Sequence, residues 1–354
     1  MNLYDKQQSI FRTQYITQEI ETRQLGRTKQ DHAAHGSYVV GPQGSIQIKT
    51  YWAVVFDGHG NNQTIDVIRN ADIAKIMEKK RPYEELQALI QLDTMSNAEQ
   101  RLRSGSTMIY AKVTPTNHYT DIEIVNIGDS SATIFVNNQP IFVTEPHDHK
   151  NGEEIARLFK ESRVDFKDPF YKKDSDFEVV SPTDLNSKDI TYIKFSEGVC
   201  LGPSQSLGHN GVTGIKPTIT RYRALRTDNV KVVLFSDGVS TIMPVEGLLS
   251  KITLDFMKYN STTDILNEAE RKWKQEWTLH NGTELANWFT KVSINTTFTP
   301  DVYDDCACAS IRVTYKNPWG IPEDIPPYDN EIEDIHTINS LFNCCLHNEI
   351  DVSS

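Results

Sequence analysis

The chain has 354 residues, 38% of them hydrophobic and 24% charged, a globular composition with enough apolar material for a sizeable core. Its formal net charge of -12 repels nucleic acid and anionic membranes, so neither is expected as a general partner. No stretch approaches the roughly 18 apolar residues that cross a bilayer, so no membrane span is expected. The opening MNLYDKQQSIFRTQ lacks an apolar secretory core. Cys200, Cys306, Cys308, Cys344 and Cys345 are scattered and odd in number, which reads as reduced thiols. A cytoplasmic or nucleocytoplasmic protein, not a secreted one, is expected.

Strands are expected at 37–40 and 45–48, joined by the turn Gly41-Pro42-Gln43-Gly44, and at 51–56. Helical spacing follows at 62–78, where Ile65, Ile68 and Ile76 recur, and at 83–103. Strands return at 107–113, 121–127, 131–136 and 140–144, and NGEEIARLFK at 151–160 reads as a short helix. From 161 to 198 the chain is charged and irregular, with Pro169 and Pro182; loops of that length commonly serve as lids or recognition surfaces. Strands at 218–225 and 230–235 lead to helices at 245–258 and 262–280. In the second of these, Leu266, Ala269, Trp273 and Trp277 share one face and read as core. A last strand is expected at 306–314. Runs of strands broken by helix pairs argue an α+β fold with antiparallel sheets and segregated helices. Beyond about 316 the chain turns rich in Pro and acid and reads as an extended tail, with INSLFNCCLHNEI a candidate docking helix near its end. The expected division is a lead-in at 1–19, one domain at 20–315 and the acidic tail at 316–354, which is either solvated or a protein contact.

Four strand ends carry acids. VVFDGHG at 54–60 ends an apolar run on Asp57, Gly58 and His59. VNIGDS at 125–130 places Asp129 after Gly128, VVLFSDG at 232–238 places Asp237 before Gly238, and Asp304-Asp305 opens CACASIRV. One such acid is a turn. Several in one domain repel each other and lose hydration, and a divalent cation offsets both costs. Magnesium and manganese favour such oxygen ligands, and glycine beside an aspartate lets a backbone carbonyl approach. Clusters of zinc spacing are absent.

The chain resembles the metal-dependent protein serine/threonine phosphatases of the protein phosphatase 2C type. The matching pieces stand in family order: GRTKQD (26–31), VVFDGHG (54–60), SGSTM (104–108), VNIGDSSA (125–132), HDHKNGEEIARL (147–158), LGPSQSLGH (201–209), VVLFSDGVS (232–240) and DDCACASIRV (304–313). The resemblance implies two face-to-face β-sheets with helices outside both, and phosphorylated proteins as substrates. It implies that Asp57 bridges two manganese or magnesium ions, that the Gly58 carbonyl ligates one, and that Asp237 and Asp304 ligate the other. Asp31 would hold metal-bound water, and Asp129 with Asp237 a third, weaker ion. Hydroxide shared by two metals would attack phosphorus, and His59 would protonate the leaving oxygen. His147 and His149 read as local packing in the family's Asp-His-Lys turn, and Cys306 and Cys308 as core.

Three positions depart from the family. Its phosphate-binding arginine sits five residues before the first Asp; here Arg27 sits four before Asp31, so a bulge restores Arg27, Arg23 serves instead, or Arg27 is a surface residue. Ser131 replaces the arginine usual after GDS, and His209 replaces an aspartate. The competing reading is a pseudophosphatase that binds phosphoproteins or scaffolds a partner. Retention of Asp57, Asp237 and Asp304 argues against it.

Overall fold

The apolar run at 52–56 belongs to the strand Ile48–Phe56, both faces of which are covered. Ala53 and Val55 enter one core, while Trp52, Val54 and Phe56 enter another. Double burial explains why the run shows no polar alternation. Val230–Phe235 is built the same way, with Val232 and Leu234 in the core shared with Ala53 and Val55, and Val233 and Phe235 facing away from it.

The computed structural model describes residues 13–26, 28–41, 47–93, 97–164, 166–173, 178–180, 190–243, 261–285, 288–297 and 303–316. One five-stranded sheet runs Thr13–Arg23, Cys306–Lys316, Val230–Phe235, Ser131–Val136, Gln139–Val143. The other runs Thr218–Leu225, Tyr119–Ile127, Met108–Pro115, Ile48–Phe56, His32–Val40. Neighbours pair antiparallel throughout the second sheet. Between the two sheets lies a core of small and β-branched residues, among them Ala53, Val55, Ile109, Ile124, Ile134 and Ala309.

Helices cover both outer faces. Ile65 and Ile68 of Gln63–Asn70 and Leu86 and Ile90 of Pro82–Gln91 pack outside the second sheet. Val239 and Ile242 of Asp237–Ile242, with Ile265, Leu266, Ala269 and Trp273 of Thr262–Lys274, pack outside the first. The layers are therefore helix, sheet, sheet, helix, as the resemblance implies. Cys306 and Cys308 lie together in the outer core of the first sheet, and with Cys200 they are free thiols.

Several elements differ from the sequence reading. The helix expected at 62–78 divides into Gln63–Asn70 and Ile73–Met77, because the Asp72 side chain accepts from Lys75 N and caps a new start. The one expected at 83–103 likewise divides, and Asn97 opens Ala98–Leu102 with a capping box to Gln100. Helix 262–280 stops at Lys274. Gln275 is extended, and Glu276–Leu285 pairs as a strand with Trp288–Thr297, Trp277 opposite Thr296. Trp273 and Trp277 satisfy helical spacing, but the cross-strand ladder decides the second one. Part of the 161–198 loop is sheet: Phe170–Lys173, Ile190–Lys194 and Cys200–Leu201 form a small antiparallel unit. Residues 13–19, read as lead-in, begin the edge strand Thr13–Arg23. The chain separates into a unit Gln14–Lys316 and a second comprising Met1–Thr13 with Asn317–Ser354. The helix expected at 245–258 and the tail from 317 lie outside the described residues. Among those described, no helix is long and apolar enough to cross a membrane.

Candidate active site

Strand register places the acids at one end of the sandwich. His32 pairs with Phe56 and Met108 with Ile127 in the second sheet, so Asp31, Asp57 and Gly128-Asp129 all leave the same edge. In the first sheet Phe235 stands opposite both Ser131 and Cys308, which brings Ser236-Asp237, Asp129 and Asp304-Asp305 to that sheet's edge. The edges meet: the Ser236 hydroxyl donates to Asp31 Oδ2 at 2.6 Å and accepts from Ala307 N at 2.9 Å. Asp57 is the single residue between Ile48–Phe56 and a short strand Gly58–Gly60 that belongs to a different sheet. The carboxylate sits where the chain changes sheets.

The two adjacent acids have different work. Asp305 is 2% exposed, and its Oδ1 and Oδ2 accept from Gly26 N at 2.8 Å and Gln30 N at 2.7 Å. It clamps the 26–30 segment. Among the described residues, the Asp304 side chain accepts only a local bond from Asp305 N, at 3.0 Å. Burial pushes its carboxyl well above the ordinary value, and Asp237 and Asp31 push it further. Asp57 is raised in the same way, by burial and then by Asp237 and Asp31; it stands close enough to Asp237 to share a hydrogen bond. Asp31 is raised by burial, which the Ser236 hydroxyl and the Arg69 guanidinium oppose and Asp237 and Asp305 reinforce. Asp129 is raised by burial and by Asp237. Asp237 is thus the hub of the group. Gly238 is sterically required here, because a Cβ would lie 1.9 Å from the Asp305 carbonyl oxygen. Among the described residues no three such side chains already close on a single point.

His59 sits beside this cluster in Gly58–Gly60, its ring stacked on His209 at 4.9 Å between centroids. Burial and then the His209 ring depress its pKa to about 3, against the Asp57 carbonyl, so the imidazole is neutral here. His147 has a packing role, as read from sequence. Gly128 N–H donates to its Nδ1 at 3.2 Å and its Nε2 meets Thr218 Oγ1 at 2.8 Å, which holds the turn that carries Asp129.

Residues 21–166 match the family model for protein phosphatase 2C. The matched segment holds Asp31, Asp57, His59 and Asp129 and ends before Asp237 and Asp304. Among solved structures it is similar to a C. elegans sex determining protein, at 14% identity over 84% of this chain and 64% of that one, with a TM-score of 0.47. It is similar to the PP2C phosphatase domain of SpoIIE from Bacillus subtilis, at 11% identity over 87% of this chain and 65% of that one, with a TM-score of 0.43. It is also similar to the Mycobacterium tuberculosis serine/threonine phosphatase PstP/Ppp, at 13% identity, 84% and 97% coverage and a TM-score of 0.41. The chain spans just under two thirds of the first two. No curated protein matches it at a significant level.

Asp31, Asp57, Asp129 and Asp304 each lie within electrostatic reach of Asp237, and His59 follows Asp57 by two residues. Arg27 lies outside the described residues. Arg23 is engaged elsewhere, with Glu21, Glu270 and Asn267. Sequence reasoning passed over Arg69, whose Nη2 donates to the carbonyls of Lys29 at 2.5 Å and Asp31 at 3.1 Å. It also passed over Ser236, and it noted His209 only as a departure from the family pattern. Arg69 had no local signal, since 38 residues separate it from Asp31. Ser236 stood inside the FSDG motif, and its polarity at the end of an apolar strand was a signal available to reading.

Proposed function

We propose that the chain hydrolyses phosphoserine and phosphothreonine esters in proteins, with two manganese or magnesium ions held at the acid end of the sandwich. The supporting observation is the set of buried carboxyls around Asp237, each raised by burial and by its neighbours. Carboxyls so placed need a positive charge among them, and an all-oxygen donor set suits a hard divalent ion. Asp57, the Gly58 carbonyl, Asp237 and Asp304 would hold the pair, with Asp31 behind them and Asp129 with Asp237 for a third. Bound there, the ions would supply an activated water and charge for the phosphoryl oxygens.

The chain's own residues do the rest. Asp305 and Arg69 brace the 26–31 segment, which keeps Asp31 at the edge of the cluster. Ser236 ties Asp31 to the opposite sheet. His59 gives a proton to the serine or threonine oxygen as its bond to phosphorus breaks. A phosphate dianion beside the ring favours the protonated imidazole and offsets the burial that holds it neutral here.

The test is phosphate release from a phosphothreonine peptide and from p-nitrophenyl phosphate, with manganese and with chelator. Activity is expected only with metal, and Asp57→Asn should lower kcat at least about a hundredfold. A metal-replete protein that cleaves neither substrate but retains phosphopeptide would instead be a pseudophosphatase.

A further inference from the structure

His209 stands where no metal ligand is expected, yet the fold goes to some length to place it. It is fully buried, and its backbone φ is +46°, with Asn210 at +51° behind it. Left-handed backbone at a residue other than glycine is costly and persists when the surroundings impose it. Two contacts impose it here. His209 Nδ1 meets the Leu102 carbonyl oxygen at 2.6 Å, and Asn210 Nδ2 donates to Ala98 O at 3.0 Å. Because a carbonyl only accepts, Nδ1 carries the proton and Nε2 is bare.

The ring of His209 lies against that of His59, with centroids 4.9 Å apart and planes within 28° of parallel. Three short strands create the contact. Gly105 pairs with His59 on one side and with Gly208 on the other, and both imidazoles fold over it. A Cβ at Gly105 would lie 2.2 Å from His209 Nε2 and 2.8 Å from His59 Nε2, so only glycine admits the pair. Among the described residues, both Nε2 atoms are buried without a hydrogen-bond partner. Nothing in a purely structural role calls for two bare nitrogens over one glycine, since an apolar side chain would fill the space at lower cost.

We propose that His209 is a positioning residue for the phosphatase reaction: anchored on Leu102 and packed over Gly105, it holds the His59 ring in one fixed orientation at the strand end that carries Asp57. The inference rests on the hydrolase reading and on His59 as proton donor. Its consequence is selective. A serine or threonine alkoxide is a poor leaving group and needs the proton, whereas p-nitrophenolate is a good one and needs it little.

The experiment compares kcat for a phosphothreonine peptide and for p-nitrophenyl phosphate, with saturating manganese, in the wild type, His209→Asn, His59→Ala and the double variant. Asparagine tolerates the left-handed backbone and retains a donor for Leu102 O, so the variant keeps the local fold while losing the ring. His209→Asn is expected to cost the peptide about tenfold or more, a fraction of what a general acid supplies, and the aryl phosphate less than about threefold. Added to His59→Ala it should cost nothing further, because both act through one proton. Equal losses on both substrates, no loss, or full additivity with His59→Ala would overturn the proposal. If the wild type cleaves neither substrate, the hydrolase reading itself falls and this one with it.

Discussion

Asp304 and Asp305 are neighbours in sequence with opposite expected effects on stability. In Asp305→Ala, two backbone N–H groups, on Gly26 and Gln30, lose carboxylate partners at 2.8 and 2.7 Å. A hydrogen bond to a charged group contributes about 1.5–3 kcal/mol, so the pair is worth roughly 3–5 kcal/mol once the part-buried Gly26 is discounted. That is a large share of the about 5–15 kcal/mol that holds an ordinary domain together. Asp304→Asn removes a carboxyl that Asp237 and Asp31 already crowd, and among the described residues the carboxyl accepts a local bond alone. In metal-free protein this variant should be more stable than the wild type, because a crowded buried acid is replaced by a neutral amide. Urea unfolding in chelator reads both effects as shifts in midpoint, of opposite sign, at constant slope. If Asp304→Asn loses as much as Asp305→Ala, or if Asp305→Ala costs less than about 1 kcal/mol, the division of labour between the two acids is wrong.

Ser236→Ala should cost about 2–4 kcal/mol, because it strips a donor from Asp31 and leaves Ala307 N–H buried and unpaired, and thermal unfolding in chelator would show it. Ser240→Ala, whose hydroxyl makes only a 3.4 Å contact to Asp237 O, is the control and should fall within about 0.5 kcal/mol of wild type. The metal-free protein should also lose stability as pH rises. Asp31, Asp57, Asp129 and Asp304 all have folded carboxyl values raised above the ordinary range, so the folded state binds more protons than the unfolded state above that range. The contribution of these four acids is full below the pH where ordinary carboxyls ionise and is lost as pH climbs from there through the raised values. Urea midpoints measured in chelator across that window test the sign, and manganese should flatten the slope by compensating the ionised acids.

Much of the fold was legible because both sheets are buried on two faces. Double burial writes long apolar runs such as 52–56 and 232–235, and each run ends abruptly at an acid. Helix ends were less legible. Spacing carried the reading across Ala71-Asp72 and across Gln275, where a cap and a strand ladder interrupted it. In the site, strand-end position nominated Asp57, Asp129, Asp237 and the Asp304-Asp305 pair, and the family resemblance added Asp31, the choice of Asp304 and the role of His59. Strand ends are set by local chemistry, and a run of apolar residues that stops on Asp-Gly announces itself.

What the tertiary structure decided is every contact made between distant segments. It assigned Asp305 to the 26–30 backbone and so separated it from Asp304, a distinction that adjacency in sequence hides. It joined Ser236 to Asp31 across the two sheets, brought Arg69 onto the carbonyl of Asp31, and withdrew Arg23 to Glu21 and Glu270. It stacked His209 on His59, 150 residues away in the numbering but one strand away across Gly105. The physical reason is common to all five. Residue type and local period determine which side chains reach a strand end, but which of them then meet is set by register between strands and by the approach of one sheet to the other.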